Sequence, residues 1–275
     1  MIHLKSDSEI AIMRRAADLV SRTLAEVGRH IQPGVSTAEL DAIAEDFIRS
    51  AGAVPAFKGY APSKKMDPFP ATLCTSINDA VVHGIPSEDD VLQDGDLLSV
   101  DCGVVLGGYL GDSAFTFGVG TISDEDRALC VATYESLMAG VAQAVAGRRL
   151  GDIGHAVQAR CEPAGYGVVR DLCGHGVGRS LWEEPQVPNY GRRGSGRKLK
   201  KGLTICIEPM INRGTADVHT DADGWTVRTD DGARSAHYEL TVAVQKGQPD
   251  VLSTFAYIED VVAVPYAPVP APDPS

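Results

Sequence analysis

The chain has 275 residues, of which 44% are hydrophobic and 23% charged, a composition near the globular average that excludes wholesale disorder. With 25 lysines and arginines against 37 aspartates and glutamates, its net charge of −12 argues against free nucleic acid or a membrane surface as partner, because both are anionic. No apolar run approaches the ~20 residues of a spanning helix, and the N-terminus lacks a secretory signal pattern. We therefore expect a cytoplasmic globular protein.

Helices are predicted in two pairs, within residues 6–50 and 124–163. Each helix of the first pair begins with a capping box, Ser-x-x-Glu at 6–9 and again at 36–39, followed by apolar residues three and four positions apart. The second pair is predicted to run from Ser123 to about Gly147 and from about Asp152 to Pro163.

Strands are predicted after each helix pair. Two β-rich runs between Leu97 and Phe117 flank Gly107-Gly108, a hairpin signal. Three later strands are predicted at 203–208, 224–229 and 235–244. Two helices followed by antiparallel strands, twice over, indicate a duplicated α+β unit. We expect one domain over 1–264 and a mobile proline-rich tail over 265–275.

Residues 191–202 form a glycine-rich, strongly basic segment in this otherwise acidic chain. A basic run of this kind indicates either a solvated face or a docking site for an acidic surface such as ribosomal RNA. The sequence leaves both interpretations open, and the ribosome is therefore one candidate partner.

Carboxylates inside apolar strands are the most informative feature of the sequence. Three predicted strands each contain one: Asp101, Glu208 and Glu239. With a turn at 107–108, Asp101 would face Ala114, and Asp112 would lie one pleat away on the same face. A buried carboxylate is costly unless it has a cationic partner. Since these strands contain no lysine or arginine, a bound metal ion is favoured.

Two histidines beside glycines complete the candidate site. Glycines flank His175 and allow close approach of its backbone, while His83 ends an apolar run next to Gly84. Each histidine alone could equally be structural. Together with the carboxylates, they outline an oxygen-rich site with one imidazole ligand, which suits Mn, Fe or Co at least as well as Zn. Two such ions can activate water and polarise a carbonyl, so hydrolysis of an amide is predicted.

The motifs around these residues resemble those of the type I methionine aminopeptidases, in order from about residue 3 to residue 262. The segments that carry the resemblance are Val82-His83-Gly-Ile-Pro86, Ser99-Val-Asp101-Cys-Gly, Tyr109-Leu-Gly-Asp112-Ser-Ala, Cys173-Gly-His175-Gly-Val-Gly, Ile207-Glu208-Pro-Met and Tyr238-Glu239. The resemblance implies the pseudo-two-fold α+β "pita-bread" fold shared with prolidases and creatinases, an antiparallel curved sheet covered by two helix pairs. It also implies a monomeric cytoplasmic hydrolase that removes the N-terminal methionine of nascent proteins.

The resemblance also implies roles for individual residues. The ligands of two divalent metal ions (Mn, Fe, Co or Zn) would be Asp101, Asp112, His175, Glu208 and Glu239. Glu208 would double as the proton shuttle for the attacking water, and His83 would contact the scissile amide nitrogen. The methionine pocket would contain Cys74, Trp225, Phe57 and either Phe69 or Tyr60.

Three departures from the family pattern concern substrate binding. Trp182 occupies the position of a second histidine that contacts the substrate carbonyl, and Leu181 stands where an aromatic residue is usual. About seven residues, 61–68, are inserted in the pocket wall. The indole N–H could replace the missing donor, His219 or His237 could substitute, or the indole could fill part of the peptide groove.

These departures leave two alternative hypotheses beside the methionine aminopeptidase. One is a related enzyme with a different amide substrate or reduced activity, and the other is a catalytically inactive binding protein on the same fold. Inactive members usually lose metal ligands, whereas all five ligand positions are kept here, so the aminopeptidase is favoured.

Overall fold

The computed structural model describes residues 2–64 and 66–266, and every statement below concerns this part of the chain. Its helices are α1 (Asp7–Gly28), α2 (Thr37–Ser50), α3 (Asp124–Val141), α4 (Leu150–Cys161) and α5 (Ala256–Glu259), with a 3₁₀ turn at Glu162–Ala164. Its strands are β1 (Val54–Pro55), β2 (Leu73–Ile77), β3 (Ala80–Val82), β4 (Leu97–Leu106), β5 (Tyr109–Gly118), β6 (Gly167–Val168), β7 (Gly174–Gly176), β8 (Glu183–Val187), β9 (Thr204–Ile207), β10 (Met210–Asn212), β11 (Val218–Thr220), β12 (Val227–Thr229), β13 (Ser235–His237), β14 (Leu240–Ala243) and β15 (Asp250–Val251).

The two helix pairs are confirmed. Both predicted capping boxes form, and in the first the Ser6 N–H donates to the Glu9 carboxylate over 2.8 Å. α3 ends at Val141, before the predicted Gly147. The chain leaves the helix there because the next residues pair elsewhere: Gly147 N–H donates to the Leu199 carbonyl over 3.0 Å.

The predicted hairpin is confirmed in its register. β4 and β5 pair antiparallel, with Asp101 opposite Ala114 and Asp112 opposite Gly103. α1 packs directly on this hairpin. A Cβ on Gly111 would lie 2.4 Å from the backbone nitrogen of Ala17, so only glycine allows this close approach.

The predicted strand 235–244 is wrong in its continuity, and the predicted strand 203–208 is one residue shorter at each end. The run 203–208 ends as β9, and Glu208 lies in the gap before β10; the run 235–244 divides into β13 and β14, with Glu239 between them. Pro209 has no N–H to continue a ladder, and the Glu239 N–H donates across to the Ala114 carbonyl of β5. The chain thereby changes sheets at both carboxylates, since β10 and β13 pair in a three-stranded sheet whereas β9 and β14 belong to a five-stranded one.

The strands form antiparallel sheets whose buried faces are covered by the helices. The four-stranded sheet has the order β1-β4-β2 with β5 beside β4, and the five-stranded sheet has the order β15-β14-β9-β7-β8. α3 packs against strands of the second sheet, as α1 does on the first. A continuous set of buried apolar residues, from Leu19 to Ile258, includes members of both helix pairs.

The first two residues of the predicted tail, 265 and 266, lie within the described part of the chain. The Tyr266 ring stacks on Tyr134, with centroids 3.8 Å apart and an interplanar angle of 10°, so residues 265 and 266 are packed on the domain. The rest of the predicted tail, 267–275, lies outside the described residues, as does residue 65 of the insertion. No helix in the described ranges is long and apolar enough to cross a bilayer.

Candidate metal centre and active-site cavity

One cavity brings together every residue that the sequence placed in the site. Its walls are formed by Phe57, Tyr60, Phe69, Cys74, His83, Asp101, Asp112, His175, Leu181, Trp182, Glu208, Trp225 and Glu239. These residues come from segments as far apart in sequence as the α2–β2 connection and the β13–β14 gap. The fold therefore gathers charged and apolar groups into a single cleft.

Strand pairing explains why the ligand candidates converge. The hairpin places Asp101 and Asp112 on one face, and the Glu239 backbone is bonded to β5 of the same hairpin. The pairing of Leu240 with Ile207 then brings the Glu208 gap beside the Glu239 gap. His175 lies on β7, which pairs with β9.

Close backbone contacts require the glycines on both sides of His175. A Cβ on Gly174 would lie 2.3 Å from the Cys206 carbonyl oxygen, and one on Gly176 would lie 2.4 Å from the Glu184 carbonyl oxygen. The imidazole Nε2 lies 3.4 Å from Glu208 Oε1 and 3.8 Å from Asp112 Oδ2. The glycines are thus needed for the approach of β8 and β9 that positions the histidine.

Asp112 and Glu239 are buried, Asp101 and Glu208 are half-buried, and one oxygen of each of these four carboxylates is buried. One oxygen of each has no hydrogen-bond partner: Asp101 Oδ1, Asp112 Oδ1, Glu208 Oε1 and Glu239 Oε1. Burial raises the pKa of all four carboxyl groups, and the neighbouring carboxylates raise the pKa values of Asp112, Glu208 and Glu239 further. Among the described residues, no lysine or arginine forms an ion pair with any of them.

Asp126 shows how the negative charge of a buried carboxylate is compensated elsewhere in the chain. Asp126 is also buried, but its carboxylate lies 2.7 Å from the Arg234 guanidinium and 3.4 Å from that of Arg213. Among the described residues, the site carboxylates have no arginine or lysine partner of this kind. Unpaired oxygens aimed into one cleft fit divalent cations, because each cation would satisfy several of them.

Atoms of Asp112, His175, Cys206 and Glu239 all lie within 4.8 Å of one another, a spacing suited to metal binding. The Cys206 thiol is a poor ligand candidate, because Cys206 does not line the cavity. Its Sγ also lies 3.7 Å from the Thr241 hydroxyl. The chemistry of the cluster is therefore that of carboxylates and one imidazole.

His83 is held in an unusual backbone conformation beside the carboxylates. Its φ of 60° lies in the left-handed region, which is strained for a residue with a side chain. Burial, and then the nearby His175, lower the pKa of its imidazole to about 4. The ring is therefore neutral at pH 7, and its edge approaches Trp225 with centroids 6.3 Å apart.

The apolar end of the cavity contains the residues that the sequence predicted for a methionine pocket. Its side chains Phe57, Phe69, Cys74, Leu181 and Trp225 are all buried. Phe69 and Trp225 meet edge to face at 5.2 Å, and Trp225 Nε1 donates to the Asp67 carbonyl of the insertion over 3.1 Å. Both Phe69 and Tyr60, which the sequence left as alternatives, line the cavity, and the Phe69 N–H donates to the Tyr60 carbonyl at the base of the insertion.

Trp182 stands at the rim of the cavity and remains 44% exposed. Its indole meets the Tyr60 ring edge to face at 5.3 Å and lies 6.4 Å from the His175 ring. Among the described residues, its N–H has no hydrogen-bond partner, so the donor is free to face a ligand. The indole narrows the entrance and does not fill the cavity.

The two substitute histidines differ in position. His219 is exposed, bonded to Asp230 over 2.7 Å, and does not line the cavity. His237 is buried behind the site, with Nε2 3.8 Å from Glu208 Oε2 and without a hydrogen-bond partner. His237 and His219 were equal candidates from the sequence, although the spacing of two between His237 and Glu239 predicts that both lie on the same face of a strand.

Comparisons with known proteins agree with this geometry. Residues 11–246 match the profile described as metallopeptidase family M24. The methionine aminopeptidase of Clostridium acetobutylicum is 51% identical over 253 residues, covering 92% of this chain and 99% of the relative. Methionine aminopeptidase 1 of Bacillus subtilis is 47% identical with the same coverage.

Solved structures agree as well. The methionine aminopeptidase from Rickettsia prowazekii superposes with a TM-score of 0.89 at 38% identity, covering 92% of this chain and all of that one. An Xaa-Pro dipeptidase from Bacillus anthracis, 24% identical over 91% of this chain and 62% of its own, shares the fold with a TM-score of 0.73. The pita-bread fold class expected from the sequence is thereby confirmed.

Proposed function

The chain belongs to metallopeptidase family M24, and from that premise we propose that it is a methionine aminopeptidase that hydrolyses the bond after the N-terminal methionine of nascent proteins. The observation that carries this proposal is the cluster of four carboxylates, each with one buried oxygen that has no hydrogen-bond partner, beside an apolar pocket. Relatives named methionine aminopeptidase, of almost the same length and up to 51% identical, support it. We propose residues 1–264 as its single catalytic domain.

Five residues would hold the metal ions of this enzyme: Asp101, Asp112, His175, Glu208 and Glu239. Four carboxylates carry four negative charges, which balance the charges of two divalent cations. The site would therefore hold two ions of Mn, Fe, Co or Zn. When bound, such ions lower the pKa of water and polarise the scissile carbonyl.

Two side chains would act directly on the reacting groups, Glu208 by transferring a proton and His83 by orienting the amide. Glu208 has one oxygen without a partner inside the cleft, so its carboxylate can take a proton from the attacking water and deliver it to the leaving amine. The neutral His83 can accept a hydrogen bond from the scissile amide N–H and so orient the bond. The strained backbone at His83 supports this role, since strain of this kind is typical of functional positions.

The apolar pocket would bind the methionine side chain. A thioether packs well against sulfur and aromatic surface, and Cys74, Phe69 and Trp225 provide both. The bond from Trp225 to the insertion fixes the indole and closes this wall. Closure excludes water and strengthens the electrostatic interactions at the reacting amide.

Trp182 would donate its free indole N–H to the substrate carbonyl, the role expected of the histidine it replaces. Loss of such a donor costs on the order of 10²-fold in rate. A partly exposed indole beside His175 is consistent with this role. Neither the site nor the compared relatives favour a repurposed or inactive protein.

We propose a cytoplasmic monomer that meets nascent chains at the ribosome through the basic segment 191–202. This segment is fixed on the α3–α4 connection: Leu150 N–H donates to the Arg197 carbonyl over 3.0 Å, and Leu199 N–H donates to the Arg148 carbonyl over 2.8 Å. Arginine side chains at 148, 149, 192, 193 and 197 are exposed around it. Ribosome co-sedimentation that weakens with salt and with charge reversal of Arg192 and Arg193 would support the docking, and unchanged co-sedimentation would exclude it.

The test of the proposed activity is hydrolysis of Met-Gly-Met-Met by the protein loaded with Mn(II) or Co(II). We expect release of free methionine that stops when a chelator is added. Leu-Gly-Met-Met is the matched substrate, and the pocket predicts slower release of leucine. Metal binding without methionine release would overturn the proposal.

A further inference from the structure

Trp182 lies between the active-site cavity and a second cavity. The second cavity has a volume of about 300 Å³, and Glu183, Glu184 and Gln186 of β8 form one side of it. His175 and Trp182 belong to the walls of both cavities. A peptide whose scissile amide lies beside His175 would therefore continue past Trp182 into the second cavity.

Two glutamates line the second cavity, and only Glu184 has a charge without a cationic partner among the described residues. The Glu183 carboxylate is already neutralised by the buried Lys5 ammonium at 2.5 Å and also accepts the Arg179 N–H over 2.8 Å. Its neighbour Glu184 is exposed and forms no ion pair with any described residue. The second cavity thus presents one uncompensated negative charge.

The aromatic surface beside this charge attracts the same class of ligand. Trp182 is 44% exposed, and Tyr60 supports the indole edge to face. An exposed indole face attracts an ammonium or guanidinium group through its π electrons, and tryptophan does so best among the aromatic side chains. Trp182, which stands where the family has a histidine, therefore makes the entrance better suited to a cationic group.

We propose that the second cavity is a subsite for a cationic side chain, lysine or arginine, at the third residue of the substrate. The cation contacts the Trp182 indole and the Glu184 carboxylate. The second residue would span the shared wall at His175 and Trp182, which leaves the third residue to reach the subsite. The inference rests on the proposed function, since it assigns a substrate class to the same site.

The experiment compares kcat and KM for Met-Ala-Lys-Ser, Met-Ala-Gln-Ser and Met-Ala-Glu-Ser with the metal-loaded enzyme at low salt. We expect kcat/KM to fall in that order, with lysine about five-fold above glutamine, mainly through KM, because one exposed ion pair and one cation–π contact each contribute modestly. Equal values for the three peptides would overturn the subsite but leave the proposed function intact. If none of them released methionine, the proposed function would fail as well.

Single-residue variants show which side chains cause the preference for lysine at the third residue. Glu184→Gln should bring the lysine-to-glutamine ratio close to one, whereas Glu88→Gln, an exposed glutamate that lines neither cavity, should keep it. Trp182→Phe keeps a ring face but removes the N–H, so kcat should fall for every peptide while the ratio is largely retained. Trp182→Leu should lower kcat for every peptide and should also bring the lysine-to-glutamine ratio close to one. A ratio that survives both Glu184→Gln and Trp182→Leu would overturn the assignment.

Discussion

Replacing Glu239 with glutamine should stabilise the metal-free protein and destabilise the metal-loaded one. Glu239 is 2% exposed, its Oε1 has no hydrogen-bond partner, and no lysine or arginine forms an ion pair with it among the described residues. Burial raises its pKa, and the charges of Glu208 and Asp101 raise it further. Removing one of these mutually repelling charges therefore relieves a destabilising interaction.

The size of the effect follows from the cost of burying an unpaired charge, which is several kcal/mol per ion. The isosteric glutamine retains one oxygen and removes part of this cost, so we expect the metal-free variant to gain about 1–3 kcal/mol. For a chain of this length that raises Tm by roughly 2–5 °C. Metal at a thousand times its Kd would stabilise the unmodified protein by about 4.1 kcal/mol, which exceeds that gain, and most of this stabilisation should be lost with a ligand.

The assay is thermal unfolding in excess chelator and in excess Mn(II). The matched control is Asp126→Asn, because that buried carboxylate is paired with Arg234 and Arg213 and its variant should melt below the unmodified protein in both buffers. The order of Tm for Glu239→Gln and the unmodified protein should reverse between buffers. If Glu239→Gln melts lower by the same amount in both, the carboxylates are not in conflict, and the reasoning is refuted.

Three further predictions concern single side chains. Glu208→Gln should lower methionine release at least about 10²-fold in a peptide assay while the protein stays folded, since a neutral amide cannot carry the proton. Trp225→Ala should lower kcat/KM for Met-Gly-Met-Met about 10- to 200-fold by opening the pocket, and an unchanged value would contradict its place in the wall. The Tyr109 hydroxyl, and then the Ser6 N–H, lower the pKa of Glu9 from 4.5 to about 2. This stabilisation is complete above pH 4.5 and is lost as the pH falls towards 2. Glu9→Gln should therefore melt below the unmodified protein at pH 7, by about 1 kcal/mol; a difference that did not shrink by pH 3 would contradict the assignment.

Local signals in the sequence were sufficient for the elements they control. The capping boxes at 6–9 and 36–39 and the hairpin turn at 107–108 act within a few residues, and all three form as predicted. The facing of Asp101 and Ala114 follows from that turn alone. These features could be predicted because their partners lie close by in the chain.

Features that depend on contacts between residues far apart in the chain could not be predicted from the sequence. The break at Glu239 depends on a backbone bond to Ala114, more than a hundred residues earlier, so an uninterrupted strand was the natural prediction. The sequence also could not indicate whether Trp182 enters the cavity, because its position depends on Tyr60 beside the insertion. The ligand candidates themselves were predictable, since a carboxylate in an apolar run signals its own need for a partner.

The central claim is that the carboxylate cluster binds divalent metal and thereby cleaves after an N-terminal methionine. Its most direct test is to titrate the metal-free protein with Mn(II) while measuring free methionine released from Met-Gly-Met-Met, in parallel with Trp182→His. With the unmodified protein, we expect methionine release that rises to a plateau as the site fills and returns to zero when chelator is added. Metal bound without release, and activity gained by Trp182→His, would contradict it.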